Sequence, residues 1–229
     1  MKAAVITFPG SNRQQDVVRA LQQATGSAPA SVWHGDQDLP AGTDLVVLPG
    51  GFSYGDYLRC GAIAGHASIM AAVRAHAERG GYVLGICNGF QILVESGLLP
   101  GILMRNAGLR FICKMQHLQV ATQNSDFTSL YQKGQVVKVC IAHGEGNYIA
   151  DTHTIATLEN DDRVAFRYCN ADGSRTQGAN PNGSINDIAG ILSANRRVLG
   201  MMPHPENLIE DLMGGTDGRA LFASIAKAA

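Results

Sequence analysis

The sequence predicts an α/β fold: an open, mostly parallel sheet with helices on both faces and an antiparallel extension. Three observations carry that prediction. Over roughly the first hundred residues, short apolar runs alternate with amphipathic segments of helical period, the pattern of parallel strands covered by helices. In the middle of the chain, strand-like runs follow one another without helical segments between them, as antiparallel strands do. The 229 residues, 45% hydrophobic and 16% charged, suffice for a core on such a sheet.

Residues 3–8 (AAVITF) are an apolar run stopped by Pro9-Gly10, a buried first strand. Gln14–Thr25 puts Val17, Leu21 and Ala24 on one face of a helix. Residues 31–34 give a short second strand, and residues 44–49 (DLVVLP) a third, stopped by Gly50-Gly51. Ile63, Ala67, Met70 and Ala77 fit one stripe of an alanine-rich helix that ends before Gly80-Gly81. Residues 82–86 form the fourth strand, and residues 88–96 a helix with Phe90, Leu93 and Val94 on one side. Residues 109–119 and 135–142 follow as strands, residues 173–184 as a loop dense in Gly, Asn and Ser, and residues 188–192 and 198–202 as two strands joined across Ala194-Asn195. A closing helix from about residue 217 buries Leu221, Phe222 and Ile225. No linker-like change of composition divides the chain, so residues 1–229 read as one domain.

Charge and composition exclude several functions. Lys and Arg number 18 against 19 Asp and Glu, a net charge of −1, which leaves no cationic excess for a nucleic-acid backbone. No apolar run approaches the roughly 20 residues that cross a bilayer, and the opening residues read as a strand rather than a signal peptide. The expected location is the cytoplasm, with all five cysteines reduced. No CxxC pair is present, and a zinc site built from Cys87, His204 and Glu206 lacks a fourth ligand, so no metal is expected. The absence of a Gly-Lys dipeptide and of GxGxxG leaves no phosphate-binding loop for ATP or a dinucleotide.

The chemistry concentrates at Gly85-Ile86-Cys87-Asn88-Gly89, between a predicted strand and a predicted helix. This is the layout of a nucleophile elbow with cysteine in place of serine. Glycines permit the tight turn, and the free N–H groups at the start of the next helix favour a thiolate. The bland alternative is a buried structural cysteine. Gly51-Phe52-Ser53-Tyr54-Gly55 also matches G-x-S-x-G, but no helix with an apolar face follows it; its better use is to aim backbone N–H groups at an oxyanion. A cysteine nucleophile needs a base. His34, His66, His76, His117 and His153 sit in surface or packing contexts, and His143 in AHGEG follows a strand. His204 in PHPE also lies at a strand end. If the prolines keep that segment extended, residues i and i+2 point the same way and Glu206 can orient the imidazole. A solvated Pro-rich turn is the alternative.

GICNGFQ together with PHPE resembles the class I glutamine amidotransferases, whose signature is G-x-C-x-G-x-Q with a later H-x-E. VITFPGSN, PGGFSYGDYLRCGAIA, AHGEGNY, NPNGSINDIAGI and VLGMMPHPE resemble one branch, the glutaminase subunits of phosphoribosylformylglycinamidine synthases, from residue 4 to residue 206. The resemblance implies the flavodoxin-like fold of that family and hydrolysis of L-glutamine to glutamate and ammonia. Cys87 would be the nucleophile, His204 the proton carrier and Glu206 its orienting partner. Backbone N–H groups near Gly51-Phe52 and at Asn88 would bind the oxyanion; Gln91, His143 and Gly144 would hold the amino-acid end of glutamine. It further implies a synthetase subunit, bound to ATP and Mg2+, that uses the ammonia on formylglycinamide ribonucleotide in purine biosynthesis, and a small bridging subunit. The chain itself would need no cofactor. Two stretches depart from the family pattern: Arg13-Gln14 stands where Cys-Asp is common after PGSN, and Asn207 where HPER is common. A peptidase on the same fold and a binding module with an inert Cys87 remain the competing readings.

Overall fold

The apolar runs of the first half become parallel neighbours. The computed structural model describes residues 1–176 and 178–228. In chain order the elements are β1 (Ala3–Thr7), α1 (Gln14–Thr25), β2 (Ala30–Trp33), β3 (Leu45–Leu48), α2 (Ile69–Glu78), β4 (Tyr82–Ile86), α3 (Asn88–Glu95), β5 (Ile102–Met104), β6 (Ile112–Val120), β7 (Val136–His143), β8 (Asn147–Ile149), α4 (Thr152–Asn160), β9 (Val164–Cys169), β10 (Ile188–Leu192), β11 (Val198–Met201) and α5 (Arg219–Ala228). Among the described residues nine strands make one sheet in the order β2-β1-β3-β4-β11-β10-β9-β6-β7, and β5 pairs with β8 in a separate two-stranded sheet.

The first five strands of that order run parallel, and β10, β9, β6 and β7 extend the sheet antiparallel. The predicted class holds, with its antiparallel extension. Every residue of β3 and β4 is buried, as strands covered on both faces require. The order reverses between β1 and β3. With right-handed crossovers, that reversal puts α1 on one face and α2 and α3 on the other. Ligands of such sheets bind outside the carboxyl ends of the strands near this reversal. The loops after β1 and β3 meet there, where the Phe52 N–H donates to Gly10 O at 2.9 Å.

Helix ends follow local chemistry. α1 stops where Gly26 turns left-handed (φ 74°) and its N–H reaches Gln22 O. α4 starts where the Asp151 carboxylate accepts the Thr154 N–H at 2.8 Å.

Three expectations need correction. The helix expected across Ile63 to Ala77 is interrupted: a 3-10 turn, Ala64–His66, gives way to extended backbone at Ala67 before α2 begins. The strand expected from Leu109 starts at Ile112, because Leu109 occupies a left-handed turn (φ 53°). A helix and a strand, α4 and β9, occupy a stretch where the sequence pattern predicts neither. The Asp151 cap and the apolar run VAFRYC were the available signals. No helix among the described residues is long and apolar enough to cross a membrane.

Candidate active site

β4 delivers Cys87 to the carboxyl edge of the sheet, and α3 begins with the next residue. The turn is as sharp as the sequence pattern requires: Cys87 has φ 52° and ψ −108°, a conformation rarely adopted by L residues. Its N–H donates to Met201 O of β11 at 2.8 Å, so the neighbouring strand holds the elbow. Gly89 lets α3 lie directly against β3, since a Cβ there would run into the Leu48 carbonyl oxygen. The thiol is nearly buried, with Ala142 O of β7 at 3.8 Å from Sγ.

β11 brings His204 to the same edge. The His204 N–H donates to Cys140 O at 2.9 Å, which pins the segment to β7. His204 Nδ1 and Glu206 Oε1 are 2.7 Å apart, with both side chains buried. The expected partnership is met, but not by extended backbone. Pro205–Asn207 is a 3-10 turn with proline at its start, and the turn, rather than strand alternation, brings the carboxylate to the ring. His204 Nε2 is buried and has no partner within hydrogen-bond geometry. Burial alone would strip the ring of its proton. The Glu206 carboxylate and then the Cys87 thiol overcome that, and His204 holds its proton well above the usual histidine range.

Gly50 separates these groups from the loop after β1. A Cβ at residue 50 would lie 2.8 Å from His204 Cε1, 3.5 Å from Cys87 Cβ and 3.3 Å from Arg13 Cγ. Gly50→Ala is therefore expected to displace the imidazole by a few tenths of an ångström and to lower kcat about ten- to a hundredfold with the fold intact. Wild-type turnover with native circular dichroism would refute this. Of the residues that depart from the family pattern, Asn207 lies beside Cys140, its Oδ1 3.9 Å from Sγ, and burial pushes that thiol up.

A cavity of about 280 Å³ opens beside Cys87, between the loop after β3, the segment Arg105 to Phe111, and the loop joining β7 to β8. Gly51, Phe52, Gln91, His143 and Gly144 all line it. Phe52 needs a correction. Its N–H is committed to Gly10 O, so it cannot serve an oxyanion, and the donors left are the Gly51 and Asn88 amides. The Phe52 ring instead sits at the cavity wall, 6.5 Å from the Phe111 ring. The Asn88 side chain is structural: Oδ1 accepts the Ser53 N–H at 3.1 Å and Nδ2 donates to Gln91 Oε1 at 2.9 Å. Gln91 Nε2 donates to Glu145 O at 2.7 Å, tying α3 to the opposite loop. Ser53 lies in a 3-10 turn, not at a strand–helix elbow.

His143 is held neutral. Burial, then the neighbouring His204, push it down to about 4. Its Nδ1 lies 3.1 Å from Asn106 Oδ1, and its Nε2 is buried without a partner. Asn106 was not anticipated. It is fully buried, its Nδ2 donates to Arg110 O and His143 O, and its Oδ1 accepts the Gly146 N–H, so one amide fastens two walls of the cavity. A lone asparagine in a polar stretch carries no sequence signal for such a task. Asp56, Cys60, Arg105 and Glu145 complete the polar lining, with Arg105 Nε 3.6 Å from Glu145 Oε1. Burial, and the carboxylates of Asp56 and Glu145, push the Cys60 thiol far up, so it stays protonated and unreactive.

Residues 1–216 match the model of the CobB/CobQ-like glutamine amidotransferase domain. The chain is 61% identical over 227 residues to phosphoribosylformylglycinamidine synthase subunit PurQ of Bradyrhizobium diazoefficiens, covering 99% of this chain and 97% of that protein. It is 62% identical over 227 residues to the same subunit of Rhodospirillum rubrum, covering 99% of each. Among solved structures, a chain of PurLQS from Thermotoga maritima superposes with a TM-score of 0.87 at 41% identity, covering 99% of this chain and 98% of that one. The glutaminase domain of Trypanosoma brucei CTPS shares the fold, with a TM-score of 0.62 at 14% identity over 100% of this chain and 94% of that one.

Proposed function

The chain belongs to the CobB/CobQ-like glutamine amidotransferase family, and from that premise we propose that it releases ammonia from L-glutamine through Cys87, His204 and Glu206. It acts as the glutaminase subunit of a phosphoribosylformylglycinamidine synthase, in purine biosynthesis. The observation that carries the catalytic reading is the buried, unpartnered Nε2 of His204 beside a thiol held in a strained elbow. Sγ attacks the carboxamide carbon of glutamine while the proton the pair shares stays on His204 Nε2. The Gly51 and Asn88 N–H groups receive the oxyanion, an interaction worth about 3 kcal/mol per donor. When the C–N bond breaks, His204 passes the proton to the departing nitrogen and ammonia forms. A water molecule, deprotonated by the same Nε2, then splits the thioester to glutamate and restores the thiol.

The substrate's amino-acid end fits the rest of the cavity. Its carboxylate meets Arg105, and its ammonium meets Glu145 and the lone pair of His143 Nε2, where the neutral ring leaves an acceptor without a partner. A synthetase subunit, bound to ATP and Mg2+, takes up the ammonia to convert formylglycinamide ribonucleotide into its amidine, and a small subunit bridges the two. This chain needs no cofactor and works in the cytoplasm, where its thiols stay reduced.

The test is glutamate release by the chain alone and with both partner subunits, formylglycinamide ribonucleotide and ATP. Slow turnover alone and a marked increase in the complete mixture are expected, because docking commonly assembles such sites. An electrophilic glutamine analogue should alkylate Cys87 and spare Cys60. No glutamate in the complete mixture, or ready turnover of peptide amides, would count against this reading.

A further inference from the structure

Two of the most exposed apolar side chains on the molecule flank the mouth of the glutamine cavity. Asp56 and Cys60 line the cavity while Tyr57 and Leu58 between them face solvent, 73% and 90% exposed. Arg105 and Phe111 line it from the other side while Leu109 between them is 78% exposed. Both leucines are left-handed, at φ 70° and 53°. Leucine gains nothing locally from that conformation, which costs roughly 1–2 kcal/mol. Two strained, solvated leucines on opposite rims of one cavity mark a surface kept for a contact.

The charges on this collar point to what covers it. Arg59, Arg105 and Arg110 are exposed around the rim, while the carboxylates of Asp56 and Glu145 are only partly exposed and line the cavity. Arg59 is paired to Glu95 at 2.6 Å and Arg105 to Glu145 at 3.6 Å, but Arg110 has no ion pair among the described residues. Tyrosine, phenylalanine and arginine with little exposed carboxylate is the composition of an interface centre. A second copy of the chain would set guanidinium against guanidinium. The complement is an apolar face edged with carboxylates. The collar surrounds the cavity beside Cys87, so whatever covers it adjoins the place where ammonia forms.

We propose that residues 52–59 and 105–111 form the docking face for the ammonia-accepting synthetase subunit, which meets them with an apolar patch bordered by carboxylates. This rests on the glutaminase reading given above. The left-handed leucines separate docking from folding. Asparagine tolerates left-handed backbone, so the double variant Leu58→Asn, Leu109→Asn relieves strain while removing the apolar contact.

The experiment measures association of the full chain with the synthetase and bridging subunits by sedimentation, alongside thermal unfolding and Cys87 alkylation by a glutamine analogue. The double variant is expected to bind at least about tenfold more weakly, Arg110→Glu likewise, with an unchanged or raised melting temperature and unchanged alkylation. Wild-type affinity in both variants overturns the proposal. So does a lowered melting temperature in the double variant, which would mean a structural role, or a loss confined to self-association. Failure of the glutaminase reading would be seen separately, as a wild-type chain whose Cys87 does not react.

Discussion

Cys87→Gly is expected to abolish glutaminase activity, yet to melt above Cys87→Ala. The activity loss follows from chemistry. No other thiol in the cavity can replace the nucleophile, because burial and two carboxylates keep Cys60 protonated, so kcat/KM falls by at least about 10^4-fold in both variants. The stability order follows from the backbone. At φ 52° and ψ −108°, any residue with a Cβ is strained by about 1–3 kcal/mol, and alanine keeps that strain. Glycine releases it and gives back roughly 0.5–1 kcal/mol in chain entropy. The net lies between about 0 and 2.5 kcal/mol in favour of glycine, and its middle, about 1 kcal/mol, is about 2–4 °C in a protein of this size. Glycine normally destabilises relative to alanine, so thermal unfolding of the two variants reads the elbow strain directly. An alanine variant that melts higher would mean that no strain is stored at the nucleophile.

The elbow was legible in the sequence because it is local. Strand, glycine, cysteine, glycine and helix follow one another within about a dozen residues, and each dictates its own geometry. The partnership of His204 with Glu206 was legible for a different reason than the one that operates. Extended backbone would align side chains two apart, but Pro205 starts a 3-10 turn that does the same work by folding back. What the sequence leaves hidden depends on pairing between distant strands. The clamp from Cys140 O to the His204 N–H exists because β7 ends beside the segment after β11, two runs that no local pattern relates. Asn106 acts through bonds to residues up to 40 positions away. The Phe52 amide is committed elsewhere because its acceptor, Gly10 O, comes from the loop after another strand. Local turns and apolar periods can be read along the chain; the polar partners that finish a site come from tertiary contacts.

Glu206→Gln should leave the fold and the glutamine KM largely as they are, yet lower kcat by about 10^2- to 10^4-fold, since an amide can still touch Nδ1 but no longer stabilises the imidazolium formed when the thiol gives up its proton. The same carboxylate leaves a signature in stability. Burial acts to deprotonate His204, and Glu206 at 2.7 Å, with Cys87, reverses that, so the folded protein binds this proton more firmly than the unfolded chain. A group whose affinity for a proton rises on folding contributes its full stabilisation below the unfolded histidine value of about 6.5 and loses it as pH climbs through the higher folded value. In the variant, burial is opposed only by the Cys87 thiol, the folded affinity for the proton drops, and that contribution shrinks. The wild-type melting temperature should therefore exceed that of Glu206→Gln most at pH 6, and the gap should narrow steadily towards pH 9 as the wild-type imidazolium is titrated. Thermal unfolding of both proteins across that range, with kcat and KM measured on the same preparations, decides the matter. A gap that widens with rising pH, or an unchanged kcat, would remove Glu206 from the catalytic unit and leave it a buried packing residue.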